Sequence, residues 1–283
     1  MILELVKGRI SAAAAGTAVT GYLLAGGRPS VTLGEVFLGT LLSAFGASAL
    51  NQWQERAADA RMPRTAARPI PSGRVSPGSA LALAAALIAA GLALLARAGG
   101  LGPPVLAAAA VAVYAGLYTP LKRRTPFASV PGALTGALPP LVGWAAAGAS
   151  PASAPALALG TFFFLWQVPH FIFLFRRFEA EYRQAGFPVL GDVLSGRQAD
   201  RLAFVWVNAA ACAALAFPLF GLVRRPAGAI LLAAAALVLA GAALVSLLRG
   251  GADPRRFRRD FRWVNAFALA VCLVAAADGL GGP

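Results

Sequence analysis

The chain has 283 residues, 59% of them hydrophobic and only 13% charged, with a mean hydropathy of +0.71. An ordinary soluble domain carries about 25% charged residues, so composition excludes one and implies an integral membrane protein. The formal net charge of +14 does not call for nucleic acid, because the basic residues lie in short stretches between apolar segments, as cytoplasmic loops of membrane proteins do.

In chain order, apolar stretches of roughly 20 residues, the length that crosses a hydrocarbon core, predict an all-α polytopic bundle of about nine transmembrane helices. They fall at 10–26, 31–51, 78–98, 101–120, 128–149, 153–176, 201–222, 226–248 and 263–281, within one domain over 1–283. Lys7 and Arg9 before an apolar run resemble a signal peptide, but the later spans make this a retained first helix. Short Gly/Pro turns, such as Gly99 to Pro103, make the third and fourth spans antiparallel neighbours, and the seventh and eighth likewise. Of the 25 lysines and arginines, all except Arg28, Arg97, Arg224 and Arg225 fall on one side. The positive-inside rule makes that side cytoplasmic, with the N-terminus inside and the C-terminus outside. Glu55, Asp59, Glu179, Glu181, Asp192, Asp200, Asp253 and Asp260 gather on the same side. The rule does not explain the acids; a reactive surface at the cytoplasmic face does. The acidic segments after the second and sixth spans, four spans apart, suggest a duplicated four-helix unit. Cys212 and Cys272 sit in apolar runs without metal spacing and read as small hydrophobes.

Three constellations carry chemistry. Asn51, Glu55 and Asp59 are spaced four apart, so a helix places all three on one face. Two carboxylates and an amide are oxygen ligands for a hard cation such as Mg²⁺, which usually adds substrate phosphates to one or two carboxylates. Arg64 and Arg68 follow at once, and arginines beside a metal site suit a diphosphate. Next, Lys122 and Arg123 close the fourth span and would grip that diphosphate and neutralise charge as it leaves. Last, Trp166-Gln167-Val168-Pro169-His170 lies inside a span, where polar residues default to function. His170, the sole histidine, would ligate an iron, orient a substrate or act as a base. Glu181, about 16 Å further along if the helix continues, would supply a second metal site, with Glu179 as the competing acid. Gly132 and Gly136 form a small-xxx-small pair for close helix approach, and Pro139-Pro140 would break its helix to shape a cavity. The basic run Arg255 to Arg259 reads as a solvated loop near anionic lipid heads.

These segments, NQWQERAADARMPRTAARPIPSGR, YTPLKRRTP, GALTGALPPLVGW and FLWQVPHF followed by EYRQAGFPVL, resemble the UbiA superfamily of intramembrane prenyltransferases. Within it, the R-T-x-x-R-P, L-K-R and W-Q-x-P-H elements resemble the haem branch, the protoheme IX farnesyltransferases. Glu55 and Glu181 stand where many members carry Asp, and Ala128 and Ser129 where Asn is often found. The resemblance implies Mg²⁺-dependent transfer of a farnesyl group from farnesyl diphosphate to a vinyl group of haem B, giving haem O for terminal oxidases. It implies metal ligands Asn51, Glu55, Asp59 and Glu181, diphosphate contacts Arg64, Arg68, Lys122 and Arg123, and a haem-side set of His170, Gln167 and Tyr118. Asn51, Glu55, Asp59, Lys122, Arg123 and His170 would be the catalytic group. It also implies a bacterial inner membrane, with the bilayer, haem A synthase or oxidase assembly factors as partners. Two other readings stay open: prenylation of an aromatic, quinone-type or chlorophyll-type acceptor, and transport through a polytopic bundle. Transport predicts ionisable residues deep in the bilayer, whereas these cluster at one face.

Overall fold

The computed structural model describes residues 2–280. Its longer helices, numbered in chain order, are α1 (Gly8–Leu24), α2 (Val31–Asp59), α3 (Pro77–Gly99), α4 (Gly102–Leu121), α5 (Leu134–Ala146), α6 (Ala154–Arg177), α7 (Gly196–Leu215), α8 (Pro226–Arg249) and α9 (Pro254–Leu280). There is no strand among the described residues. Sequence punctuation sets the helix starts. Pro77, Pro226 and Pro254 each occupy a first turn, where a missing N–H costs nothing. Ser195 and Gln198 form a reciprocal capping box at the head of α7.

Each predicted span holds one of these helices, but only six of them, α2, α3, α4, α6, α8 and α9, are long and apolar enough to cross a membrane unaided. The count of nine is therefore not carried over as nine full spans. α1 has 17 residues and α5 only 13. α7 spends its first turns on Gly196-Arg-Gln-Ala-Asp200-Arg201. A second difference is at 263–281, whose last residue lies outside the described ones. Helix α9 begins at Pro254, so the basic run 255–259 is helical rather than a loop. Burial of Arg256 and Phe257 explains why: one face of that turn already belongs to the core.

The helices meet closely where residues are small. A Cβ on Gly143 of α5 would lie 1.7 Å from the carbonyl oxygen of Ala18 on α1, and one on Gly21 would lie 1.9 Å from that of Pro140. These helices touch backbone to backbone. Pro139 and Pro140 sit inside α5 without ending it, both buried. The core of the second half is aromatic, with Phe162 edge-on to Phe163, Phe217 and Phe267 at 5.1, 5.4 and 6.0 Å. Below it, buried Asp200 of α7 binds both Arg176 of α6 and Arg256 of α9, while Ser246 of α8 donates to Asp260. Four helices are thus tied at one end by charges that are paired, the condition for burying them.

Helix α4 changes pitch at Ala112–Tyr118, a π-helical segment of the kind that often marks functional sites. In such a segment the carbonyl of Ala115 expects the N–H of residue 120. That residue is Pro120, which has none. Gln54 of α2 fills the place, its Nε2 donating to Ala115 O at 3.0 Å. Lys122 is thereby set directly beside α2.

Candidate active site

Asn51, Glu55 and Asp59 line one face of α2 as the spacing predicts, and all three are buried, at 1%, 3% and 0% exposure. Buried carboxylates need partners, and each finds a cation from a different segment. Lys122 Nζ lies 2.6 Å from Glu55 Oε1. Arg68 Nη1 lies 2.7 Å from Asp59 Oδ2. The other oxygen, Asp59 Oδ1, is buried with no hydrogen-bond partner. The loop that returns Arg68 is held by Thr65, whose hydroxyl donates to the Asp59 carbonyl at 2.9 Å.

Asn51 links three segments. Its Nδ2 donates to Thr119 Oγ1 at 3.0 Å, and Thr119 in turn donates to the carbonyl of Tyr114 in the π segment. Its Oδ1 accepts from Lys7 Nζ at 2.6 Å, and the same ammonium donates to Tyr114 Oη at 3.1 Å. Lys7 is the functional residue that sequence reasoning missed, having assigned it to topology. Its signal is conformational: among the described residues it alone, apart from glycines, has positive φ, at 49°. Left-handed backbone costs an L-residue about 1–2 kcal/mol and persists where the surroundings require it. Burial pushes the Lys7 ammonium down to about 8; Arg68 adds to this and Glu55 opposes it. For Lys122 burial is again the largest single influence and opposes the charge, but the Glu55 carboxylate with its hydrogen bond, together with Tyr182 and Tyr114, outweighs it and holds the ammonium above the ordinary lysine value.

The second acidic segment packs on the first. Met62 and Ala58 share an apolar cluster with Ala185 and Phe187. Glu181 Oε2 accepts from the Arg64 backbone N–H at 3.4 Å and lies 3.9 Å from its Nε. Glu179 is turned away to Arg183, at 3.1 Å. An aromatic row begins beside the cations. Tyr114, Tyr118, Phe171 and Phe175 stack in turn at 5.8, 5.1 and 5.8 Å. The Lys122 ammonium lies within 5.2–5.8 Å of the rings of Tyr118, Tyr182 and Phe187. Tyr118 can lie here because Gly132 has no side chain; a Cβ there would come within 2.4 Å of the ring.

Several expectations are redrawn. Arg123 is exposed and donates to the Gln54 carbonyl at 2.7 Å, so it fastens α4 to α2 instead of facing the carboxylates. The four-ligand set Asn51, Glu55, Asp59 and Glu181 is not gathered: among the described residues no three His, Cys, Asp or Glu side chains form a metal-binding group. Glu55, Asp59 and Glu181 are each paired with a cation of their own, and Lys7 occupies the Asn51 oxygen. Gln167 lies against Gly136, where a Cβ would meet its Oε1 at 2.6 Å. His170 faces α9, its Nδ1 3.0 Å from Asn265 Oδ1, with Phe261 at 4.6 Å and Trp166 at 5.1 Å. Since the Asn265 amide donates to Phe261 O, its Oδ1 must accept from His170 Nδ1–H. The neutral ring then carries its lone pair on Nε2.

The site thus offers buried carboxylate oxygens for a divalent cation and cations for an anionic leaving group. A stacked row of aromatic rings leads away from them, across α4 and α6. The profile of the UbiA prenyltransferase family matches residues 14–275. A protoheme IX farnesyltransferase of Geobacter sulfurreducens is 44% identical over 73% of this chain and 76% of its own. Another, of Oleidesulfovibrio alaskensis, is 37% identical over 98% of this chain and 95% of its own. Among solved structures, a UbiA homologue from Archaeoglobus fulgidus bound to DMAPP and Mg²⁺ superposes with a TM-score of 0.68 at 15% identity, over 99% of this chain and 98% of that one.

Proposed function

The chain belongs to the UbiA prenyltransferase family, and from that premise we propose that it transfers a farnesyl group from farnesyl diphosphate to a vinyl group of haem B, forming haem O. The observation that carries the site is the pairing of buried Glu55 with Lys122 and buried Asp59 with Arg68, four charges from three segments at one end of a membrane bundle. The acceptor and the prenyl length follow the protoheme IX farnesyltransferases that the chain resembles.

The donor's diphosphate would sit among Lys7, Lys122, Arg68 and Arg64. Glu55 and Asp59 would hold Mg²⁺; the unpartnered Asp59 Oδ1 fits this, and two carboxylates plus substrate oxygens are what Mg²⁺ ordinarily uses. Bound there, the ion would withdraw charge from the leaving diphosphate. Lys122 and Arg68 do the same from their fixed places, and their salt bridges to Glu55 and Asp59 keep them preorganised. The allylic C–O bond breaks, and the electron pair leaves with the diphosphate. Tyr118, Phe171 and Phe175 wall the cation that remains, and their bulk keeps water away. The vinyl carbon then forms the new C–C bond, and water adds to the neighbouring carbon with loss of a proton. We place the site at the cytoplasmic face of an inner membrane, the N-terminus inside, from the distribution of basic residues.

Purified E55A and D59A variants, given labelled farnesyl diphosphate, Mg²⁺ and haem B, test the assignment. Loss of product from both, with membrane insertion intact, is expected. Full turnover in either would remove that carboxylate from the site.

A further inference from the structure

Beyond the diphosphate site lies a group of arginines that the mechanism does not use. Arg177 ends α6, and Arg258 and Arg262 are one turn apart on an exposed face of α9. Among the described residues none of the three has a carboxylate partner, although nearby Arg176, Arg256 and Arg259 all do. Arg177 stands in the field of Arg258, Arg262 and Arg64. The Arg177 and Arg64 guanidiniums both lie over the ring of Phe178, at 4.7 and 4.5 Å. Like charges brought together in this way repel, and a bound anion would relieve that repulsion further than solvent and salt do.

The register of the two helices says where that anion lies. α6 and α9 pack together, and His170 meets Asn265 between them. Arg177 is seven residues from His170, and Arg258 seven from Asn265, on the faces those residues share. Seven residues are two turns, about 10.5 Å. The antiparallel helices therefore present His170 with Phe261 and Trp166, and beside and above them a cationic rim that runs from Arg262, within one turn of Asn265, to Arg177 and Arg258, about 10 Å from the His170–Asn265 contact. A flat apolar ring carrying acidic side chains on one edge matches both levels.

Resting on the haem reading above, we propose that Arg177, Arg258 and Arg262 are the carboxylate-binding rim of the acceptor site, taking the two propionates of the tetrapyrrole while its ring lies against His170 and Phe261. Arg64, stacked with Arg177 on Phe178, joins this rim to the diphosphate cluster. The acceptor is thereby oriented by its acidic edge, leaving its vinyl edge to the aromatic row. A lipid headgroup would offer the same anionic chemistry, and the test separates the two.

The test is titration of the full-length protein in detergent with haem B, followed by the haem absorbance band without prenyl donor, and repeated with haem B dimethyl ester. R177Q, R258Q and R262Q keep side-chain length and helix propensity; R201Q, an exposed arginine on α7, controls for net charge. A charge-assisted pair contributes enough for about a tenfold change in affinity. Haem B should bind each rim variant about tenfold more weakly, and R201Q like the parent. The ester should bind parent and variants alike, and farnesyl diphosphate affinity should hold. Equal haem affinity in all variants overturns the proposal. So does a parent that does not distinguish acid from ester, or a variant defect seen only when anionic lipid is added, which assigns the rim to headgroups. A parent that binds haem and makes haem O while the variants bind normally removes the rim alone; a parent that neither binds nor converts haem removes the haem reading with it.

Discussion

Replacing Lys122 by Met removes the ammonium 2.6 Å from Glu55 Oε1 and keeps most of the side-chain volume. The two side chains are 12% and 4% exposed, so the carboxylate left behind has little water to turn to. Removing one partner of a buried pair costs about 3–5 kcal/mol, chiefly because the other charge is stranded. Removing both charges costs much less. K122M should therefore unfold more easily in detergent by about 3 kcal/mol, and E55Q/K122M should recover most of that loss, with a coupling of about 2 kcal/mol. Activity should not follow. Both variants lack a cation aimed at the leaving diphosphate, and losing one such group costs about 100-fold or more in turnover. Chemical unfolding and product formation from labelled farnesyl diphosphate, measured on the same preparations, separate the two effects. A double variant that regains turnover together with stability would make the pair a strut between α2 and α4 and refute its part in catalysis.

Three further outcomes follow from the same geometry. K7M should reduce turnover about 10–100-fold and raise the KM for farnesyl diphosphate, because the ammonium on Asn51 and Tyr114 is one of the few cations aimed inward; unchanged kinetics would return Lys7 to topology alone. Y118A opens the wall between Gly132 and Phe171, so farnesol, the product of quenching by water, should rise relative to prenylated haem; an unchanged ratio would place the carbocation elsewhere. G143V puts a side chain where the Ala18 carbonyl stands, so α1 and α5 should separate and the yield of folded protein fall sharply; normal yield and stability would contradict the close approach of these helices.

The bundle is legible because membrane spans are written in length and hydropathy, and each predicted stretch holds a helix. The count is less legible: α5 is short, and α7 opens on charged residues, of which the core shelters Asp200, paired to Arg176 and Arg256. The triad face on α2 follows from helical periodicity, which local sequence fixes. Its partners are long-range facts. Only the folded chain shows that Lys122 meets Glu55 and that Arg123, one residue on, turns to the Gln54 carbonyl. Lys7 reaches Asn51 across 44 positions through a left-handed backbone that no spacing rule anticipates. The basic run at 255–259 misleads because its composition is that of a loop, while burial of Arg256 and Phe257 makes it helical.

Haem farnesylation itself is read out by pigment analysis. The chain, and a D59N variant beside it, would be expressed in cells that lack haem O, and the extracted haems separated by chromatography and identified by mass. Haem O is expected in cells carrying the unaltered chain, and haem B alone with D59N. Haem B alone in both, with the unaltered protein present in the membrane, would contradict it.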